Sequence, residues 1–205
     1  MKAEHLEILV EEPSMEAFLE GLLPRMLEPE VCFRIHAYQG KTDLLSKLPS
    51  RLRGYANWLP EHARIVVLID RDNDDCAELK GCMERMAADT KLRTRTTAAG
   101  QAWQIVNRIV IEELEAWYFG DWEAVRQIYP KLNKNIPRQE SFRDPDNISG
   151  GTWEAFERIL KKAGYFSGGL RKTEAARLLG RQVDPDRNGS PSFQMFKDAI
   201  LEAVK

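Results

Sequence analysis

Apolar residues fall in short blocks that alternate between two periods. His5–Val10 (HLEILV) is a compact apolar run ending in two acids, and residues 13–27 then carry Phe18, Leu19, Leu22, Leu23 and Met26 at helical spacing. Residues 31–37 mix alternation with β-branched side chains, and residues 42–52 return to the helical period, with a break expected at Pro49. Residues 64–69 (RIVVLI) form the uninterrupted run of a strand covered on both faces, and stop at an acidic loop. A helix is expected at 76–88 and strands at 92–97 and 104–111. Beyond that point the strand signal vanishes, and helices are expected at 112–118, 122–129, 152–163, 172–179 and 192–204. Residues 133–151, rich in Pro, Asn, Asp and Gly, read as a long loop.

This order, βαβαβαββ followed by helices, predicts an α/β fold: a largely parallel sheet flanked by helices, with a helical C-terminal extension. Residues 1–120 are expected to form the core and residues 121–205 a helical region packed on it. In such sheets ligands bind outside the carboxyl ends of the strands, so loop residues there are the first place to look for chemistry.

Composition narrows the classes. No apolar run approaches the roughly 20 residues of a membrane-spanning helix, and the acid-bearing N-terminus is unlike a secretory signal, so a cytoplasmic protein is expected. Cys32, Cys76 and Cys82 are odd in number and form no CxxC pair, which argues against a disulfide framework or a structural zinc site. The net charge of -2 gives no global attraction to polyanions, so nucleic-acid binding requires a local basic surface. Arg51, Arg53, Arg138, Arg143, Arg171 and Lys172 are candidates, and Lys91, Arg93 and Arg95 alternate so as to share one face of the strand expected there. A solvated sheet edge explains that strand equally well.

The acids are more specific. Glu11 and Glu12 follow the first strand, and Asp70, Asp72, Asp74 and Asp75 follow the third, so the expected fold brings both groups to one rim of the sheet. Hard cations such as Mg²⁺ and Mn²⁺ prefer oxygen ligands and keep several waters, so a few carboxylates suffice to hold one or two ions. Asp70 and Asp72 are read as metal ligands, Asp74 and Asp75 as caps of the following helix. Glu112, Glu113 and Glu115 stand where a strand gives way to a helix, and a dipole-favoured first turn explains them as readily as a site. Two calcium-loop lookalikes fail, because the twelfth position is Gly81 after Asp70 and Met195 after Asp184. Gly40 and Lys41 imitate the end of a phosphate-binding loop whose upstream glycine is missing. Trp103, Trp117, Trp122 and Trp153 read as core.

These residues also resemble a family. Glu11 in VEEPSMEAFL, with IDRD after a later strand, is similar to the Toprim pattern of topoisomerases, primases and overcoming-lysogenization-defect (OLD) nucleases. The order VEEPSMEAFLEGLLP, GKTDLL, LIDRD, IEELEAWYFGD and a late lysine before a helix resembles DUF4276, a Toprim-like family, over most of the chain. The resemblance implies a Mg²⁺- or Mn²⁺-dependent nuclease acting on DNA or RNA. Glu11 would be the first acid, Asp70 and Asp72 the paired ligands, Glu115 a further ligand assisted by Glu113, and Lys172 the lysine that steadies the phosphate. It also implies an ATPase partner of AAA or ABC type in an antiviral defence locus, and leaves a homodimer open. Glu12 departs from the pattern, which has glycine after the first acid. A catalytically inactive subunit of an ATPase complex is therefore the alternative, and an RNA-directed toxin released by such a partner a third reading.

Overall fold

The computed structural model describes residues 2–166 and 168–205. Strands β1 (His5–Val10), β2 (Cys32–Ala37), β3 (Ala63–Asp70) and β4 (Ile105–Val110) make one all-parallel sheet in the order β2-β1-β3-β4. Helices α1 (Pro13–Leu22), α2 (Lys41–Trp58) and α3 (Cys76–Ala88) alternate with the strands. Helices α4 (Leu114–Gly120), α5 (Trp122–Ile128), α6 (Thr152–Lys162), α7 (Lys172–Gly180) and α8 (Pro191–Ala203) follow β4. The α/β expectation therefore holds, and the architecture is consistent with a Toprim-like fold.

Period-two alternation divides the sheet between two cores. Leu9, Ile65, Val67, Ile69 and Ile105 pack with Leu44, Leu48 and Leu52 of α2 and with Leu79 and Met83 of α3. Leu6, Ile8, Val10, Val66, Leu68 and Val110 face the other way, onto Phe18 of α1, Trp117 of α4, and Phe193, Phe196 and Ile200 of α8. All eight residues of β3 are buried, as expected of a central strand covered on both faces. The C-terminal helices pack on the sheet through the same continuous core as α1.

Two expectations are corrected. Pro49 does not break its helix: α2 runs through it, because Leu44, Leu48, Leu52 and Tyr55 bury one face on both sides of the proline and that burial outweighs a lost hydrogen bond costing about 3 kcal/mol. Residues 92–97 are not a strand; only Thr94 bridges to Ile105. There the Thr97 N–H donates to Thr94 Oγ1 at 3.2 Å, a local bond that competes with sheet pairing, and Lys91 turns the chain with φ 64°. Lys91, Arg93 and Arg95 thus share no strand face, and Arg95 is paired with Glu202 of α8. Residues 133–151 form the long loop expected there, with three 3₁₀ turns in it.

Candidate functional site

The site forms where the sheet's connections diverge. From β1 the chain turns to α1 on one face, and from β3 it turns to α3 on the other, which opens a crevice between the carboxyl ends of two adjacent strands. Glu11 and Asp70 lie at those two ends. The Asp70 backbone N–H donates to Glu11 Oε2 at 3.1 Å, so the register of β1 on β3 delivers one carboxylate directly to the other residue. Asp70 is only 8% exposed. Burial, and then the charges of Glu11, Glu115, Glu12 and Asp72, push its carboxyl well above the usual carboxylate range.

The loops beyond the strands are locked to each other. Asp72 and Glu112 both adopt left-handed backbone conformations, φ 48° and 62°, with the Asp72 N–H donating to the Glu112 carbonyl at 3.1 Å. Glu112 pairs with Arg71. Such conformations are strained for non-glycine residues and concentrate at functional sites. Asp72 and Asp74 are both held by Lys41, at 2.7 and 2.6 Å. The lysine that mimics a phosphate loop in sequence therefore serves the acidic loop. Asp75 caps α3, accepting from the Ala77 and Glu78 N–H groups, whereas Asp74, read as a cap, is an ion-pair partner.

Helix α4 supplies the third side. Glu115, in its first turn, is 2% exposed. Burial raises its carboxyl to about 7, against the attraction of Lys172 and with the help of Glu113 and Glu12. Glu113 sits differently: its Oε2 accepts from Thr152 Oγ1 and from the Trp153 N–H at 2.8 Å, which caps α6. This bond places Trp153, only partly buried, under Lys172, whose Nζ lies 4.4 Å from the ring centroid. Lys172 makes no ion pair among the described residues. Burial opposes its charge, but Glu115, Glu12, Glu113 and Asp70 together raise its pKa. Glu12, at the departure from the Toprim pattern, is thus one more acid acting on the centre.

Tyr118, one turn beyond Glu115, gave no sign in the sequence beyond an aromatic in a helical pattern. Its hydroxyl is buried and has no hydrogen-bond partner among the described residues, and burial, then the charges of Glu115 and Glu12, push its pKa up. The EF-hand lookalike at 184–188 is structural, since Asn188 donates to the Trp117 carbonyl and Arg187 pairs with Asp121.

Among the described residues, eight carboxylates, those of Glu11, Glu12, Asp70, Asp72, Asp74, Glu112, Glu113 and Glu115, thus stand with three cations: Lys41, Arg71 and Lys172. No three acidic, histidine or cysteine side chains among the described residues stand close enough together to enclose a metal ion. The donor set nevertheless fits a hard divalent cation that is held by one or two carboxylates and keeps its waters. Glu11 and Asp70 would supply those two, and the orphaned Tyr118 hydroxyl leaves one donor for the ligands around it.

The Glu115 shift carries a test. Its pKa is raised from 4.5 to about 7, so the folded chain holds a proton that the unfolded chain releases. That advantage is full below about 4.5 and is lost as pH rises through about 7, a change of about 3 kcal/mol. In urea melts of metal-free protein, Glu115→Gln should become progressively more stable relative to wild type between those pH values. A difference that stays flat with pH would contradict the shift.

Residues 10–201 match the family described as Domain of unknown function (DUF4276). No curated protein and no solved structure matches the chain.

Proposed function

The chain belongs to the DUF4276 family, and we propose that it is a divalent-cation-dependent nuclease that hydrolyses phosphodiester bonds in DNA or RNA. The observation that carries this reading is the pair of buried carboxylates, Asp70 and Glu115, set with Glu11 at the sheet crevice beside a lysine that has no ion pair among the described residues. A carboxyl buried without a compensating cation must either bear a desolvation cost of several kcal/mol or hold a proton, and neither has a packing purpose at the end of a fully buried strand.

Glu11 and Asp70 would hold Mg²⁺ or Mn²⁺, with Asp72 and Glu115 at the margin of the same centre. Such a cation supplies activation of water and neutralisation of phosphate charge. It also resolves an electrostatic conflict: an adjoining cleft of about 500 Å³ is lined by Asp72, Glu112, Glu113 and Glu154, which would repel a bare polyanion. Lys172, within the field of the acids and backed by Trp153, would neutralise charge on the phosphate under attack. Glu115, near 7 in the metal-free protein, is suited to exchange a proton at neutral pH. The ATPase partner and the defence setting remain part of the proposal through the family resemblance.

With Mn²⁺ or Mg²⁺, purified protein is expected to nick supercoiled plasmid or cleave single-stranded RNA, and EDTA to stop it. Lys172→Met should lower kcat about 100-fold while Mn²⁺ affinity by calorimetry stays within about twofold of wild type. Wild-type protein inert on DNA and RNA under these conditions would sink the enzyme reading. Retained Mn²⁺ binding in inert protein would favour the non-catalytic subunit instead.

A further inference from the structure

A second cleft, of about 420 Å³, lies between α6 and the segment that follows α5. Its deeper wall is apolar, with Leu132 buried and Ile136, Ile159 and Phe142 partly buried. Around it stand Lys131, Arg158 and Lys162, all exposed, and no acidic residue lines the space. None of the three cations forms an ion pair among the described residues. Lys131 Nζ lies 5.5 Å from the Tyr165 ring centroid.

This arrangement is costly in the ligand-free chain. Arg158 and Lys162 stand four residues apart on one face of α6, a like-charge spacing that destabilises a helix by a few tenths of a kcal/mol. The neighbouring Lys161 shows the usual solution, pairing with Glu157 at 3.0 Å. Compensation of the helix dipole accounts for a cation in the last turn, but not for Arg158 or for Lys131, which comes from outside the helix.

We propose that this cleft is a binding site for a nucleoside phosphate unit. Its volume falls within the roughly 300–1,000 Å³ of small-molecule sites. Three unpaired cations over an apolar wall suit a ligand that joins a phosphate to a flat ring. Phe142 stacks on Phe119 at 5.4 Å and 7°, and Phe119 on Trp122 at 5.5 Å and 9°, so a base laid on Phe142 extends an existing stack. The N-terminal end of α6 is bonded to Glu113 in the acidic centre, and the cleft lies toward its other end. At about 1.5 Å per residue, the two sites are separated by much of the helix length, so this ligand is not the group at the acidic centre. The unit is either a free mononucleotide or one residue of a strand, and the two sources are separable.

Binding is measured in EDTA, by calorimetry with adenosine 5′-monophosphate and with inorganic phosphate, and by anisotropy with a labelled single-stranded hexanucleotide. No divalent cation and no turnover are needed, so the outcome is independent of the nuclease reading. Adenosine monophosphate should bind about tenfold or more tightly than phosphate, the share contributed by stacking. The exposed double substitution Arg158→Ala, Lys162→Ala should weaken it about tenfold or more, with an unchanged melting temperature. A hexanucleotide that binds more tightly than the mononucleotide, and loses the same factor in the variant, identifies a strand; one that does not identifies a free nucleotide. Absence of mononucleotide binding at millimolar concentration, equal affinity for phosphate, or a variant that binds like wild type overturns the proposal.

Discussion

Asp70→Asn should eliminate both Mn²⁺ binding and cleavage, yet leave the metal-free protein more stable than wild type. The residue ends a fully buried strand, is 8% exposed, and shares its surroundings with Glu11, Glu115, Glu12 and Asp72. The amide keeps its shape and removes an ionisable group that the folded state disfavours in charged form. At pH 8 in EDTA the gain should be about 1–3 kcal/mol. Added Mn²⁺ should reverse the order, since a ligand at 1,000 times its Kd stabilises by about 4.1 kcal/mol and the variant has lost the site. Thermal melts with and without Mn²⁺ read both effects. A variant that is less stable in EDTA, or as responsive to Mn²⁺ as wild type, would show Asp70 to be structural.

Gly180→Ala should be strongly destabilising although it adds a single methyl group. Gly180 ends α7 where it crosses α1, and a Cβ there would lie 2.0 Å from the Phe18 carbonyl oxygen; one at Gly21, on the facing helix, would lie 2.8 Å from the Gly180 carbonyl carbon. Both obstacles are backbone, so a helix must move. A loss of about 3 kcal/mol or more is expected, which lowers the melting temperature by about 6–12 °C in a chain of this size. Since α7 begins at Lys172, the displacement should also weaken cleavage in whatever protein remains folded. A melting temperature within about 1 °C of wild type would show that the helices separate freely. No reading of the sequence singled out either glycine for this role, because a close helix crossing joins residues about 160 positions apart.

The legible and illegible parts of the centre divide along the same line. Glu11 and Asp70 could be placed at one rim because strand periodicity locates each at a strand end, and a parallel sheet puts those ends together. Glu115 was open between a helix first turn and a site. Its burial depends on how α4 packs against segments distant in sequence, α6 among them, which no local pattern encodes. Lys41 was set aside as half a phosphate loop, and only the fold reveals its pairing with Asp72 and Asp74. Asp74 was read as a cap because a helix start is a local feature; which of two adjacent aspartates takes that place depends on the loop's path.

By itself, the sequence determined the layer order, the strand ends and the acidic character of the rim, because these follow from the periods of two and 3.6 residues along the chain. It also suggested the family. The tertiary structure alone decided that residues 92–97 fold as turns, that Pro49 is tolerated, and that Glu113 caps α6. It also brought Lys172 within the field of Glu115 and set Trp153 beneath that lysine. These outcomes depend on contacts between distant segments, whose burial energies exceed the local preferences that sequence patterns record.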